Sequence, residues 1–156
     1  IVGSREWLKM ILKLICKVWY ENDNGIVFGQ GAYCLLRGIE KTGSLRQAAF
    51  AVGMAYSKAW HIIKICECNL GSSLTHARRG GISRGGSEVT DKAMELMRMH
   101  ELFCREIENT IGKIYEKHFG QSVPVLFHAG KRYRRQLKIE TVNEAEFRAE
   151  FRGQDT

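Results

Sequence analysis

Between Thr42 and Gly71 the chain reads TGSLRQAAFAVGMAYSKAWHIIKICECNLG, two helical apolar patterns separated by a glycine. In the first, Leu45, Ala48, Ala49 and Val52 recur at i, i+3, i+4 and i+7, which puts them on one helix face. The two alanines leave room for a neighbouring helix to come close. Ser44 stands at the N-cap position and Gln47 three residues on, the spacing of a reciprocal capping box. Gly53 ends the helix, because the chain leaves through a left-handed conformation that costs a residue with a Cβ about 1–2 kcal/mol. The second helix starts near Ala55 or Tyr56, turns Ala59, Ile63, Cys66 and Leu70 inward and stops at Gly71. The outward positions Ser57, Lys58, His61 and Lys64 are donors, with no acid before Glu67. Such a face suits a major groove, and the pair of helices predicts a helix-turn-helix. An ordinary helical hairpin fits the same pattern, so the flanking segments decide.

Before the helices, Leu12, Leu14, Cys16, Val18 and Tyr20 recur at every second position, with Lys13 and Lys17 on the other face, and predict a half-buried strand. Asn22 to Gly25 forms a turn and Ile26 to Phe28 returns, making a β-hairpin. A helix then runs from Gly29 or Gly31 to about Lys41, with Ala32, Leu35, Leu36 and Ile39 on one face. After Gly71, strand-like pieces at Ser73–His76 and Glu88–Val89 flank a glycine-rich tip carrying Arg78, Arg79 and Arg84. By itself this stretch reads as a surface loop; directly after a helix-turn-helix it reads as a wing whose arginines bond phosphate.

Thr90 caps a long helix over about 90–119, with Asp91 at its positive end. Ala93, Met97, His100, Cys104, Ile107, Ile111, Ile114 and His118 form a heptad seam, and Leu96, Met99 and Phe103 a second stripe. One stripe can pack on the hairpin domain and the other on a second copy of the chain, so a homodimer through this helix is expected. Beyond Gly120 the period fades into a short apolar run at 123–127, the basic KRYRR at 131–135 and an acidic stretch at 140–150. The expected division is an N-terminal extension at 1–11, one domain at 12–120 and a flexible tail at 121–156. The fold class is mainly α with small β: a winged helix-turn-helix with an N-terminal β-hairpin and a long C-terminal dimerisation helix.

Charge sharpens the picture. The net charge of +7 favours a polyanionic partner, and between Lys41 and Arg98 nine Lys or Arg face four Asp or Glu, so much of the excess lies around the helix pair. The five cysteines are odd in number and scattered, which argues against a metal cluster or disulfide framework. No secretory leader and no apolar run of about 18 residues is evident, so a cytoplasmic protein with no membrane partner is expected. The histidines at 61, 76, 100, 118 and 128 lack HExxH spacing or a nucleophile motif. Neither enzyme activity, cofactor nor metal site is therefore expected.

Four segments, KVWYENDNGIVFGQG, TGSLRQAAFAVGMAYSKAWHIIK, ARRGG with RGG after it, and EVTDKAMEL, occur in that order. Together they resemble the winged helix-turn-helix domain of ModE-type molybdate-responsive regulators, relatives of the LysR-type DNA-binding domain, over about residues 12–120. The resemblance implies a homodimeric transcriptional regulator that reads palindromic double-stranded DNA with its second hairpin helix and grips flanking phosphates with its wings. By position it implies DNA contacts from Tyr56, Ser57, Lys58, His61 and Lys64 and a family tryptophan at Trp60; Ser44 and the wing arginines Arg78, Arg79 and Arg84 complete the expected DNA-binding set. Full-length members add a C-terminal oxyanion-binding region, whereas residues 121–156 show no such pattern, so no molybdate site is expected here. The competing function is a winged-helix module for protein interaction or DNA architecture that does not read sequence.

Overall fold

The computed structural model describes residues 13–78 and 85–127. The extension at 1–11, the wing tip at 79–84 and the tail from 128 onward lie outside the described residues. In chain order the elements are β1 (Leu14–Cys16), β2 (Trp19–Asn22), β3 (Gly25–Gly29), α1 (Gln30–Thr42), α2 (Leu45–Ala51), α3 (Tyr56–Leu70), β4 (Thr75–Arg78), β5 (Gly86–Val89), α4 (Asp91–Phe119) and β6 (Val125–Phe127). This is a winged helix-turn-helix: β2 and β3 form the leading hairpin, α2 and α3 the helix pair, and β4 and β5 the wing.

The core gathers on α1. Leu35, Leu36 and Ile39 are buried there against Phe28 of β3, Ile63 of α3, Leu74 before β4 and Met97 of α4. Each such side chain contributes about 1.5–3 kcal/mol by leaving water. Leu45, Ala48 and Ala49 of α2 are buried as the spacing predicts, and the reason for the alanines is visible. A Cβ on Gly38 of α1 would lie 2.5 Å from the Ala48 Cβ and 2.9 Å from its Cα, so the two backbones meet with no side chain between them.

The helix-turn-helix corner closes as expected at Gly53, which has φ +68°. Its amide donates to the Phe50 carbonyl and the Met54 amide to that of Ala49, the paired bonds of a Schellman ending. The capping box is only half formed. The Ser44 hydroxyl accepts from the Gln47 amide, but the Ser44 amide donates to Thr42 Oγ1. Thr42 sits closer in the tight α1–α2 turn and takes the bond the glutamine side chain was expected to take.

The predicted strand at 12–20 is corrected. Burial alternates over 14–20 as the pattern requires, but the hydrogen-bond partners change at Lys17 and Val18. The hairpin register starts at Asn22–Gly25, shifts at Tyr20/Glu21 and ends at Trp19–Gly29, where the return strand becomes α1. Nothing is left in the hairpin to pair with β1, which instead pairs in parallel with β6, Leu14 to Val125 through Cys16 to Phe127. The expectation of a loose tail after Gly120 therefore fails for residues 125–127: Val125 is buried, and its Cγ2 lies 4.0 Å from where a Gly112 Cβ would stand on α4.

Thr90 caps α4 through its hydroxyl, which accepts from the Ala93 amide. The first half of the heptad seam, Ala93, Met97, His100 and Cys104, is buried in the chain's own domain, whereas Ile107 and Ile111 are half-buried and Ile114 is exposed. A polar joint ties α4 to α1. The Tyr33 hydroxyl donates to Glu101 at 2.6 Å, and Arg37 pairs with the same oxygen at 3.1 Å. Burial and that carboxylate push the Tyr33 pKa up to about 12, against the opposing guanidinium. His100, only 2% exposed, lies between Tyr20 and Gln30 at 3.0 Å each. The Gln30 oxygen can only accept, so Nε2 carries the proton and Nδ1 accepts from the tyrosine. Burial holds the His100 pKa below its ordinary value, although the Glu101 charge pulls the other way.

Two outcomes follow from this packing. Gly38→Ala should lower stability by about 1–3 kcal/mol through overpacking, despite alanine's better helix propensity. Gly112→Ala, with only ordinary contact, should hold or raise it; chemical denaturation of both variants compares them, and a neutral Gly38→Ala would refute the close approach. The second outcome concerns pH. The unfolded chain takes a proton on His100 near the ordinary value while the folded chain resists it, so stability is fully present above about pH 6.5 and falls as the pH drops through the lowered folded value. Melting temperatures recorded between about pH 7 and pH 5 should decline in the wild type and decline less in His100→Gln.

Candidate nucleic-acid interface

On α3 the burial of Ala59, Ile63 and Cys66 fixes which side faces out. Ser57, His61, Lys64 and Cys68 then form an exposed stripe at spacings of four, three and four. Lys58 falls elsewhere: it lines a groove of about 710 Å³ beside the hairpin, together with Lys17, Trp19, Ile26, Met54 and Ile62. Tyr56 is exposed at the start of α3, with the Arg46 guanidinium of α2 placed 5.1 Å from its ring centroid, a cation–π contact. Trp60 is 48% exposed, so its indole is not a core element among the described residues. Of the residues expected from the sequence, Ser57, His61 and Lys64 thus share one stripe, while Tyr56 and Lys58 flank it on separate sides.

Ser44 has a local task, capping α2. Its neighbour Gly43 accepts from the Ser87 amide at 2.8 Å, so the α1–α2 turn is also the seat of the wing. The fit is tight, since a Cβ on Gly86 would stand 2.6 Å from the Gly43 oxygen. Across the wing ladder Arg78 on β4 lies opposite Gly86 and His76 opposite Glu88. Glu88 holds both side chains: Arg78 Nε at 3.3 Å and His76 Nε2 at 3.1 Å, the latter an ion pair only when the ring is protonated. Arg79 and Arg84 lie outside the described residues.

The sequence did not single out the acids that organise these cations. Glu67, the first acid on α3, pairs with Lys64 at 2.7 Å and also accepts from the Leu74 and Thr75 amides at 2.9 and 3.0 Å. Burial alone would raise its pKa. The Lys64 ammonium and the two amides outweigh burial and hold the carboxyl below its ordinary value. The spacing from Lys64 to Glu67 was readable as an i, i+3 pair; the bonds to residues 74 and 75 depend on how the chain turns after Gly71. No described group of His, Cys, Asp and Glu could hold a metal ion, and no described helix is long and apolar enough to cross a membrane.

No protein-family model matches the chain. The molybdenum transport protein ModE of Azotobacter vinelandii is 24% identical over 105 residues, which cover 67% of this chain and 39% of that protein. The molybdenum transport protein ModE of Herbaspirillum seropedicae is 32% identical over 80 residues, 51% of this chain and 30% of that protein. The chain spans about a third of the length of these curated relatives. Among solved structures, the crystal structure of ArgP from Mycobacterium tuberculosis superposes with a TM-score of 0.40 at 13% identity, covering 65% of this chain and 43% of that one. Over its matched part the chain is similar to these two ModE proteins.

Proposed function

We propose that the chain is the DNA-reading part of a transcriptional regulator, in which α3 reads base edges in a major groove and the wing grips adjacent phosphates. The observation that carries this reading is the exposed Ser57–His61–Lys64 stripe on a helix tied through Glu67 to the first strand of a wing, in a chain that is ModE-like over that region. Hydroxyl, imidazole and ammonium groups at helical spacing can donate to the acceptor pattern of base edges. Arg78, Arg79 and Arg84 supply phosphate contacts, Tyr56 and Lys58 flank the stripe, and Ser44 holds the start of α2 near the backbone. Catalysis has no part in the proposal. Neither has molybdenum transport, which names relatives of which the match covers only a minor share.

Two copies of the domain would meet through α4. Its seam is committed to the core as far as Cys104, but Ile114 farther along the seam and Met99, Leu102 and Phe103 outside it are each about half exposed. A two-fold pair joined there would read a palindromic site with half-sites about 34 Å apart. This leaves each chain's own core intact.

Selection of bound sites from random duplex DNA tests the reading directly. A two-fold symmetric site is expected. Recovery of no preferred sequence would favour the architectural or protein-interaction alternative. On the selected site His61→Ala should cost about 1–3 kcal/mol of discrimination, whereas Arg78→Ala should weaken all duplexes alike and reduce the salt slope by about one. Light scattering tests assembly: Met99→Asp would bury an unpaired carboxylate in the interface and weaken association by about 3–5 kcal/mol without unfolding the monomer. A Met99→Asp chain that remains a dimer would move the interface off this face.

A further inference from the structure

The chain between α3 and the wing is organised by one residue. The Glu67 backbone carbonyl accepts from the Ser72 amide at 3.1 Å. Its Oε1 accepts from the Leu74 amide, the Thr75 amide and Thr75 Oγ1 at 2.9, 3.0 and 3.3 Å, and its Oε2 accepts from Lys64 Nζ at 2.7 Å. The carboxylate side chain is 11% exposed, whereas Lys64 is 48% exposed. One acid therefore holds the root of β4 with one oxygen and a cation of the exposed α3 stripe with the other. Neither task is needed to hide a charge, because the same glutamate turned outward would be solvated at no cost.

We propose that Glu67 is a positioning residue for sequence reading: it fixes Lys64 on the α3 stripe and the first strand of the wing in one rigid frame, so that base contact and phosphate contact are made in a single register. This rests on the DNA-reading proposal above. A lysine ammonium has three donors, and one bond to Glu67 leaves two for a base edge. Anchoring it removes most of the rotamer freedom that a free lysine would lose on contact. The frame has an electrostatic cost, since a negative charge beside the groove repels DNA. That cost makes the role testable, because a solvated acid and a positioning acid predict changes of opposite sign.

The test compares wild type, Glu67→Ala and Glu67→Gln on the selected duplex and on a random duplex, with amide hydrogen exchange on the free protein. In Glu67→Ala the Leu74 and Thr75 amides should exchange faster. Its affinity for the random duplex should hold or rise, as removal of a negative charge requires, while affinity for the selected duplex falls roughly tenfold or more. Glu67→Gln keeps an acceptor for the two amides and releases Lys64, so those amides should stay protected while discrimination falls part of the way. In a Lys64→Ala background the glutamine change should have little further effect on discrimination. If Glu67→Ala does not fold, Glu67→Gln decides alone, and wild-type discrimination there overturns the proposal. Equal gains on both duplexes, or equal losses, overturn it as well. A wild type with no preference between duplexes instead overturns the DNA-reading proposal on which this one stands.

Discussion

The fold depends on the close approach of α1 and α2. At seven residues α2 is too short to hold itself together in water, because helix nucleation costs more than one or two turns return. It persists because its alanine face lies directly on α1 at Gly38, and because Ser44 satisfies an amide at its start and the Gly53 turn satisfies carbonyls at its end. The direction of α2 sets the corner at Gly53, and the corner sets the direction of α3. A methyl group at Gly38 would thus disturb the helix that carries the candidate reading stripe, acting through α2.

The wing is positioned by the same logic from two sides. On one side Ser87 is tied to Gly43 in the α1–α2 turn. On the other, the return strand enters α4 through Thr90, whose amide donates to the Leu74 carbonyl and whose hydroxyl donates to the Ser73 carbonyl. Leu74, fully buried between these bonds, holds the crossing point of α3, the wing and α4 in the core. The hairpin is clamped to the end of α3 in a similar way, by Asn69, which donates to the Ile26 carbonyl and accepts from Asn22. Short elements are fixed here by backbone bonds at their ends more than by ladders of their own.

What could be read from the sequence was what is local and periodic. The apolar faces of α1, α2 and α3, the glycine at the corner and the Thr90 cap follow from spacing within one element, and they lie where the pattern puts them. The pairing of β1 with β6 was not readable, because it joins residues more than a hundred positions apart and follows from the hairpin running out of partner strand at Gly29. The half-formed capping box shows the same limit on a small scale: Gln47 had the right spacing, but Thr42 was already within reach of the amide. In the candidate interface the cations were legible as a set. Their division into a stripe, a groove and a stacked pair was not, since it depends on what α2 and the hairpin place beside α3.

The acids explain why counting positive charge misjudges this surface. Glu67 holds Lys64, Glu88 holds Arg78 together with His76, and Glu101 holds Arg37. With the basic partner about half exposed or more in every pair, such contacts contribute little to stability, because solvent screens them and ordering two long side chains costs entropy. Each pair also lowers the local potential that would draw a polyanion from a distance. Their consistent effect is on geometry: every one joins different parts of the domain or fixes a side chain that would otherwise sample many rotamers. A surface built this way gives up some sequence-independent attraction and retains cations that are already in place when a partner arrives. Under the proposed function that exchange favours a reader over a general DNA-coating protein, because phosphate attraction is common to all sequences while fixed geometry distinguishes among them.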